Sequence, residues 1–284
     1  MASKQAWTNK IESIYHSQMD RQEQLWEQLG LQATHHSYHE DDDDSMKDGI
    51  RKMHRLLADK AGVGAGSEVL NIGCGGGGGS VWLADMRDAS VVGVDVTQKF
   101  VESAREHAES KGVADVCEFR HGDFHELSTI PDDSVDVVWA LQSIHHAYDY
   151  EAVSKEANRV LREDGMLVVA DFFQASDDLS EKEQNRFEFF NETTKSHTVP
   201  IGEFESTLED AGFSKVVSEE HTENVIPFEK RLYRVSLFMY PLLKLIGLVG
   251  LGSETAADDM KSTYYGYRLI KSGARKFNIV EAQP

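Results

Sequence analysis

The chain has 284 residues, 40% of them hydrophobic, enough for one large domain or two small ones with a substantial core. Its 49 Asp and Glu against 29 Lys and Arg give a formal net charge of −20, a surface that repels nucleic acid phosphates and anionic membranes over short screened distances and excludes nucleic acid as a substrate. The two cysteines, Cys74 and Cys117, make no disulfide framework or metal spacing, and the N-terminus lacks the apolar core of a signal peptide, so a reducing, cytoplasmic setting is expected.

Taken from the N-terminus, Gln22 to Leu31 and Met46 to Ala61 carry apolar residues three and four apart, the spacing of amphipathic helices, with Asp44 or Ser45 as N-cap of the second. The run Asp41-Asp42-Asp43-Asp44 between them reads as a solvated loop, so residues 1–62 form a helical leader. Glu68 to Ile72 and Ser90 to Val94 have the length and β-branched content of buried parallel strands. A glycine-rich turn and a helix, Val81 to Arg87, separate them. Helices at Gln98 to Lys111 and Tyr150 to Arg162 continue the alternation through Phe173, which is the pattern of an α/β, doubly wound parallel sheet. Gly202 to Ala211 and Phe213 to Glu219 add a helix and a strand, with Gly212 at the C-cap place. From Pro227 to Ser272 the pattern is helical, and Lys276 to Glu281 is a last strand. This divides the chain into a cofactor-type domain, residues 63–226 and 275–284, with a helical lid at 227–274. Val235 to Gly252 approaches the length of a spanning helix, but Pro241, Lys244 and several glycines interrupt it. It reads as a buried or interfacial lid, with peripheral membrane contact as the alternative and no integral membrane segment.

The turn Gly73-Cys74-Gly75-Gly76-Gly77 lets backbone approach a ligand where any Cβ would collide. Asp95 ends the next strand, about 20 residues on, where an acidic side chain takes ribose hydroxyls. A flexible loop with a surface aspartate is the plainer reading. The glycines are too crowded for a dinucleotide fingerprint, and no Lys-Ser/Thr follows them. The elements VLNIGCGGGGG, VVGVDV, HGDFHEL, SVDVVWALQSIHHA and ANRVLREDGMLVVADFF resemble, in order, those of the class I S-adenosylmethionine-dependent methyltransferases. The leader IYHSQMDRQEQLWEQLGLQATHHSYHEDD, the WALQSIHHA segment, and RLYRVSLFMYPLLKL with FNIVEAQP are similar to the tocopherol and sterol methyltransferase branch.

The resemblance implies a Rossmann-like sheet of seven strands, the last antiparallel, with the lid over the carboxyl edge and S-adenosylmethionine as cofactor. It implies that Gly73, Gly75 and Gly77 lie against the methionine and ribose, that Asp95 and Val96 meet the ribose, and that Asp123 and Phe124 meet the adenine. Asp123 as a cap of a following helix is the alternative. Ala140 and Leu141 would pass beside the cofactor. Asn71 stands where the family usually has an acid, and it hydrogen-bonds without charge. His35, His36 and Tyr38 match the branch's leader and would close over the methionine tail, with Trp26 and Tyr38 facing the sulfonium; a solvated loop is the alternative.

Methyl transfer from a sulfonium needs mainly positioning and exclusion of water. Gln142, His145 and His146 follow the fourth strand, where the acceptor meets the methyl group. Gln142 replaces a Glu of the sterol enzymes, which weakens a carbocation route. A histidine instead takes a proton from a hydroxyl, phenol or activated carbon, unless the pair merely caps the Tyr150 helix. No His, Cys or acidic pair has familiar metal spacing. The leading expectation is a methyltransferase acting on carbon or oxygen of a lipophilic small molecule, an isoprenoid, quinol or polyketide-like compound. N-methylation of a polar metabolite or osmolyte, and a catalytically silent cofactor-binding fold, are the rivals.

The acid excess also suggests a halophilic protein, whose self-repulsion concentrated salt would screen. Unfolding in urea at low and at multimolar potassium chloride checks this. The expected outcome is a higher midpoint in concentrated salt, and a higher midpoint in low salt contradicts it.

Overall fold

The computed structural model describes residues 6–11, 32–33, 35–41, 44–248 and 254–284. The expected helix Gln22 to Leu31, with Trp26, lies outside them. One sheet organises the chain, with strands β1 (Glu68–Ile72), β2 (Ser90–Asp95), β3 (Cys117–His121), β4 (Val135–Leu141), β5 (Leu161–Gln174), β6 (Lys215–Glu220) and β7 (Arg275–Gln283). Their order is β3-β2-β1-β4-β5-β7-β6. Neighbours from β3 through β5 pair in parallel, while β7 runs antiparallel to both β5 and β6.

Strand periodicity of two decides which residues build each core layer. Leu70, Ile72, Val138, Ala140, Leu167, Val169 and Val280 pack on one face, with Val153 and Ala157 of α5 (Tyr150–Val160) and Phe204 and Leu208 of α7 (Ile201–Asp210). Val69, Val137, Trp139, Val168, Ala170 and Ile279 pack on the other. There they meet Leu57 of α2 (Met46–Lys60), Val81 and Leu83 of α3 (Gly78–Arg87), and Val101 and Ala104 of α4 (Gln98–Lys111). A short helical segment, α1, residues 6–11, precedes these.

Local chemistry sets the helix ends. Ser45, not Asp44, caps α2, its Oγ accepting the Asp48 amide at 3.1 Å, and Asp149 Oδ1 accepts the Ala152 amide at 3.0 Å to start α5. Helix α5 stops at Val160 rather than Arg162, because Leu161 is already extended and enters β5. An additional helix, α6 (Glu181–Thr194), has no apolar stripe to announce it, since only Phe187 is buried; a capping box of Ser180 and Glu183 nucleates it.

The segment expected as a lid contains α8 (Thr222–Leu248) and α9 (Glu254–Ser272). Helix α8 leaves the carboxyl end of β6, begins before Pro227, where the helical stretch was expected to start, and runs through Pro241, which the sequence suggested would interrupt it. Tyr233 stacks on Tyr264 and Tyr267, at centroid separations of 5.4 and 4.4 Å, and joins the two helices. Among the described residues, no helix is long and apolar enough to cross a membrane.

The turn into α3 sits in the left-handed region at Gly77, φ 81°, where an added Cβ would lie 2.8 Å from the Ala104 Cβ and 3.1 Å from the Phe119 ring. Gly77→Ala is expected to cost about 1–3 kcal/mol through backbone strain and overpacking against α4. Urea unfolding measures it, and an unchanged midpoint would contradict this account.

Candidate active site

The carboxyl ends of β1, β2 and β4 open into a cleft of about 920 Å³, the adjoining open solvent included. The glycine turn is tied across it to the end of β2. Gly73 N and Cys74 N both donate to Val94 O, at 2.8 and 3.1 Å, and Gly75 N donates to Asp95 Oδ2 at 2.8 Å. Asp95 Oδ1 takes the Thr97 amide, also at 2.8 Å. The carboxyl is only 8% exposed. Burial pushes its pKa up, opposed by those amide donors.

Asn71, Gly73, Gly75, Asp95, Val96, Asp123, Phe124, Leu141, Gln142 and His146 all line this cleft. Four expected site residues are not part of the lining: Gly77, Ala140, Tyr38 and His145, the last lying one residue before the lining His146. Gly77 turns the site of its missing Cβ toward Ala104 of α4, and Ala140 points into the core layer opposite. Gly76, Gly78 and Gly79 line the cleft instead. At one end Asp123 Oδ1 accepts from His125 N at 3.0 Å and His125 Nδ1 at 2.5 Å. His125 Nε2 accepts the Tyr148 amide, which fixes the proton on Nδ1. No helix follows Asp123 directly, so it is not a helix cap. Residues of α1 close this end, with Thr8 Oγ1 donating to Asp123 Oδ2 at 3.3 Å.

The floor carries buried histidines. His35 Nδ1 donates to His36 O at 2.9 Å, so its Nε2 accepts from His54 Nε2 at 2.8 Å. Burial lowers the His35 pKa to about 4 and pushes His54 well below its ordinary value. Trp139 Nε1 nearby is buried without a partner among the described residues.

Beyond β4, Gln142 adopts a left-handed conformation, φ 50°, rare for a residue with a side chain. Its Oε1 accepts from His36 N at 3.1 Å and His36 Nδ1 at 2.5 Å, while its Nε2 is buried without a partner among the described residues. Because the oxygen already takes the backbone N–H, His36 Nδ1 donates to it. His36 Nε2 then faces Glu229 of α8 at 3.1 Å. Glu229 also pairs with the buried Arg275 at 3.0 Å. Burial favours a neutral Glu229, but His36 and Arg275 outweigh it and lower the pKa. Tyr38, expected over the methionine tail, is turned away, its hydroxyl 3.1 Å from His221 Nδ1. It is His36 that reaches the cleft's edge.

His145 and His146 sit in a 3-10 turn, Ile144–His146, after β4. His146 Nδ1 donates to Lys195 O at 2.9 Å, and burial lowers its pKa to about 3. His145 is oriented by Asp171 of β5, which takes its backbone N–H at 3.1 Å and its Nδ1–H at 2.8 and 3.0 Å. Asp171 is fully buried. Burial favours its neutral form, yet the adjacent His145 ring and the donated hydrogen bonds hold the carboxyl below its usual range. The signal in the sequence was an acid inside the apolar run VVADFF; Glu229, Arg275 and His54 gave none. Among the described residues, no group of three or more His, Cys, Asp or Glu side chains could hold a metal ion.

A family model described as a methyltransferase domain matches residues 70–169. The chain is 31% identical over 220 residues to a 27-O-demethylrifamycin SV methyltransferase of Amycolatopsis mediterranei, covering 77% of this chain and 79% of that protein. It is 32% identical over 174 residues to a sterol 24-C-methyltransferase of Aspergillus fumigatus, covering 60% and 46% of the two chains. A solved structure of a geranyl diphosphate methyltransferase in complex with GPP and sinefungin superposes with a TM-score of 0.77 at 17% identity, covering 98% of this chain and 99% of that one.

The buried histidines carry a pH dependence of stability. His35 and His146 have folded pKa values of about 4 and about 3, against 6.5 in the unfolded chain, so below pH 6.5 the unfolded state binds protons that the fold refuses. Their contribution is complete above pH 6.5 and is lost as pH falls through about 4 for His35 and about 3 for His146. Urea titrations at stepwise pH should show this decline, with a shallower slope for His35→Gln; an identical slope contradicts it.

Proposed function

Because the chain belongs to the class I S-adenosylmethionine-dependent methyltransferases, in the branch related to the sterol methyltransferases, we propose that it methylates oxygen, or a nucleophilic carbon, of a lipophilic small molecule such as an isoprenoid, quinol or polyketide-like compound. The observation that carries oxygen is the His145–Asp171 pair. Asp171 takes the Nδ1–H of His145, which puts the lone pair on Nε2, and no described residue hydrogen-bonds that atom. This is the arrangement of a histidine held in one tautomer to accept a proton. His145 takes the acceptor's hydroxyl proton, and Asp171 stabilises the imidazolium that results.

S-adenosylmethionine, when bound, supplies a methyl group on a sulfonium already activated for displacement. The cleft fits such a molecule: bare glycine backbone, two carboxylates, and the partnerless buried donors of Gln142 and Trp139 all belong to its lining. In this reading Asn71, Gly73 and Gly75 hold the methionine portion, Asp95 and Val96 the ribose, and Asp123 and Phe124 the adenine, with Leu141 alongside. Gln142 and His146 stand on the acceptor side. N-methylation of a polar, cationic acceptor fits less well. Asp95 and Asp123 are the only carboxylates among the described lining residues, and the nucleoside uses both. The acid-rich surface supports an intracellular, high-salt setting for the enzyme.

Incubating the enzyme with methyl-labelled cofactor and a panel of lipophilic hydroxyl, phenol and quinol acceptors tests the reading. His145→Ala is expected to lower kcat by about 10²–10⁴, with Asp171→Asn also lowered and S-adenosylhomocysteine binding unchanged for both by calorimetry. Transfer to amines alone, or full activity of His145→Ala, would overturn it.

A further inference from the structure

In a chain of net charge −20, residues 230–252 contain no aspartate or glutamate, yet they include Lys230, Arg231, Arg234 and Lys244. Most of this stretch is the second half of α8. Three of its residues spaced as one helix face, Tyr233, Ser236 and Tyr240, turn toward α9. Tyr233 stacks on Tyr264 and Tyr267, Ser236 is fully buried, and Tyr240 shares a hollow with Tyr264 and Tyr265.

The opposite face carries Val235, Phe238, Leu242 and Leu245, three, four and three residues apart, which is a stripe along the helix. These side chains are 53, 78, 47 and 61% exposed. A contiguous row of large apolar groups facing water marks a surface that is covered in use. Here the cover has to suit cations as well, because Arg231, one turn before Val235 on the same face, and Arg234 beside it are also exposed and no carboxylate of α8 follows Glu229.

We infer that this face of α8 docks on a lipid bilayer containing anionic headgroups, with the apolar stripe in the acyl boundary and the flanking cations at the phosphates. That is how a cationic amphipathic helix lies in a membrane interface. The acidity of the rest of the molecule does not forbid it: at physiological ionic strength the Debye length is about 8 Å, so headgroups under the stripe meet mainly the local cations.

The docking face and the cleft share one helix. Phe228 and Glu229, earlier in α8, hold His36, whose ring contacts Gln142 of the cleft. A lipophilic acceptor leaving the bilayer beside α8 therefore arrives next to the site. This delivery role rests on the acceptor class proposed above, whereas the docking itself does not.

Flotation of the full chain with vesicles of phosphatidylcholine alone, or of phosphatidylcholine with phosphatidylglycerol, tests the docking without any acceptor. The protein is expected to float with the mixed vesicles, less with the zwitterionic ones, and less in high salt. Phe238→Asp with Leu242→Asp should reduce binding at least about tenfold, as expected for removing two apolar anchors. Arg231→Glu with Arg234→Glu should abolish the preference for phosphatidylglycerol. Calorimetry with S-adenosylhomocysteine shows that each variant is folded. No flotation of the wild type, equal binding to both vesicle types, or a dimer in sedimentation that Phe238→Asp dissociates would each overturn the proposal, the last by giving the stripe to a second copy. Flotation retained by an enzyme inactive on every lipophilic acceptor would sink the function reading alone.

Discussion

Asp95 is the fastening on which the cleft depends. Its two oxygens end the amides of Gly75 and Thr97 at 2.8 Å each, so one carboxylate pins the glycine turn after β1 to the turn after β2. The neighbouring carbonyl of Val94 takes two more amides of the same turn. A glycine-rich loop left to itself loses more conformational entropy on ordering than any other sequence. Here that cost is met by hydrogen bonds to one strand end, and the α3 helix starts where the turn stops. Everything else at the carboxyl edge is positioned relative to this knot.

Histidine chemistry forms a second layer around it. Each ring is set by a fixed backbone or carboxylate partner: His35 by the His36 carbonyl, His125 by Asp123 and the Tyr148 amide, His146 by the Lys195 carbonyl, and His145 by Asp171. His35, His54 and His146 are thereby kept neutral in a buried setting. Neutral buried rings satisfy polar groups without the desolvation cost of an ion. Opposite charges are paired instead at Glu229 and Arg275, with the Arg275 guanidinium lying over the Phe172 ring at 3.7 Å. That cluster joins His36, α8 and β7. A helix held by a buried ion pair is specified in position more than it is strengthened.

The region from β1 to β2 could be read directly from the chain because all of its signals are local. Strand length, the glycine run, an amphipathic helix and a terminal acid occur within about 30 residues, the span over which periodicity speaks. β1 has the bounds expected of it, and α4 begins and ends at the expected residues. Helix α6 escaped notice because it buries a single side chain and so has no stripe. Pro241 of α8 misled for a related reason: proline disfavours a helix interior locally, but packing against α9 holds the helix through it.

Composition and order along the chain therefore determined the acidic surface, the alternation of strands and helices, the cofactor turn and the set of histidines available for chemistry. They could not determine partnerships between distant positions. His145 meets Asp171 across 26 residues, His36 meets Glu229 across 193, and Tyr38 gives its hydroxyl to a histidine 183 residues away instead of to the cleft. Which ring is a base, which is a strut and which is turned aside depends on burial and on the hydrogen bond at the other nitrogen. Only the packed sheet, by bringing β4, β5, the leader and α8 to one edge, supplies both.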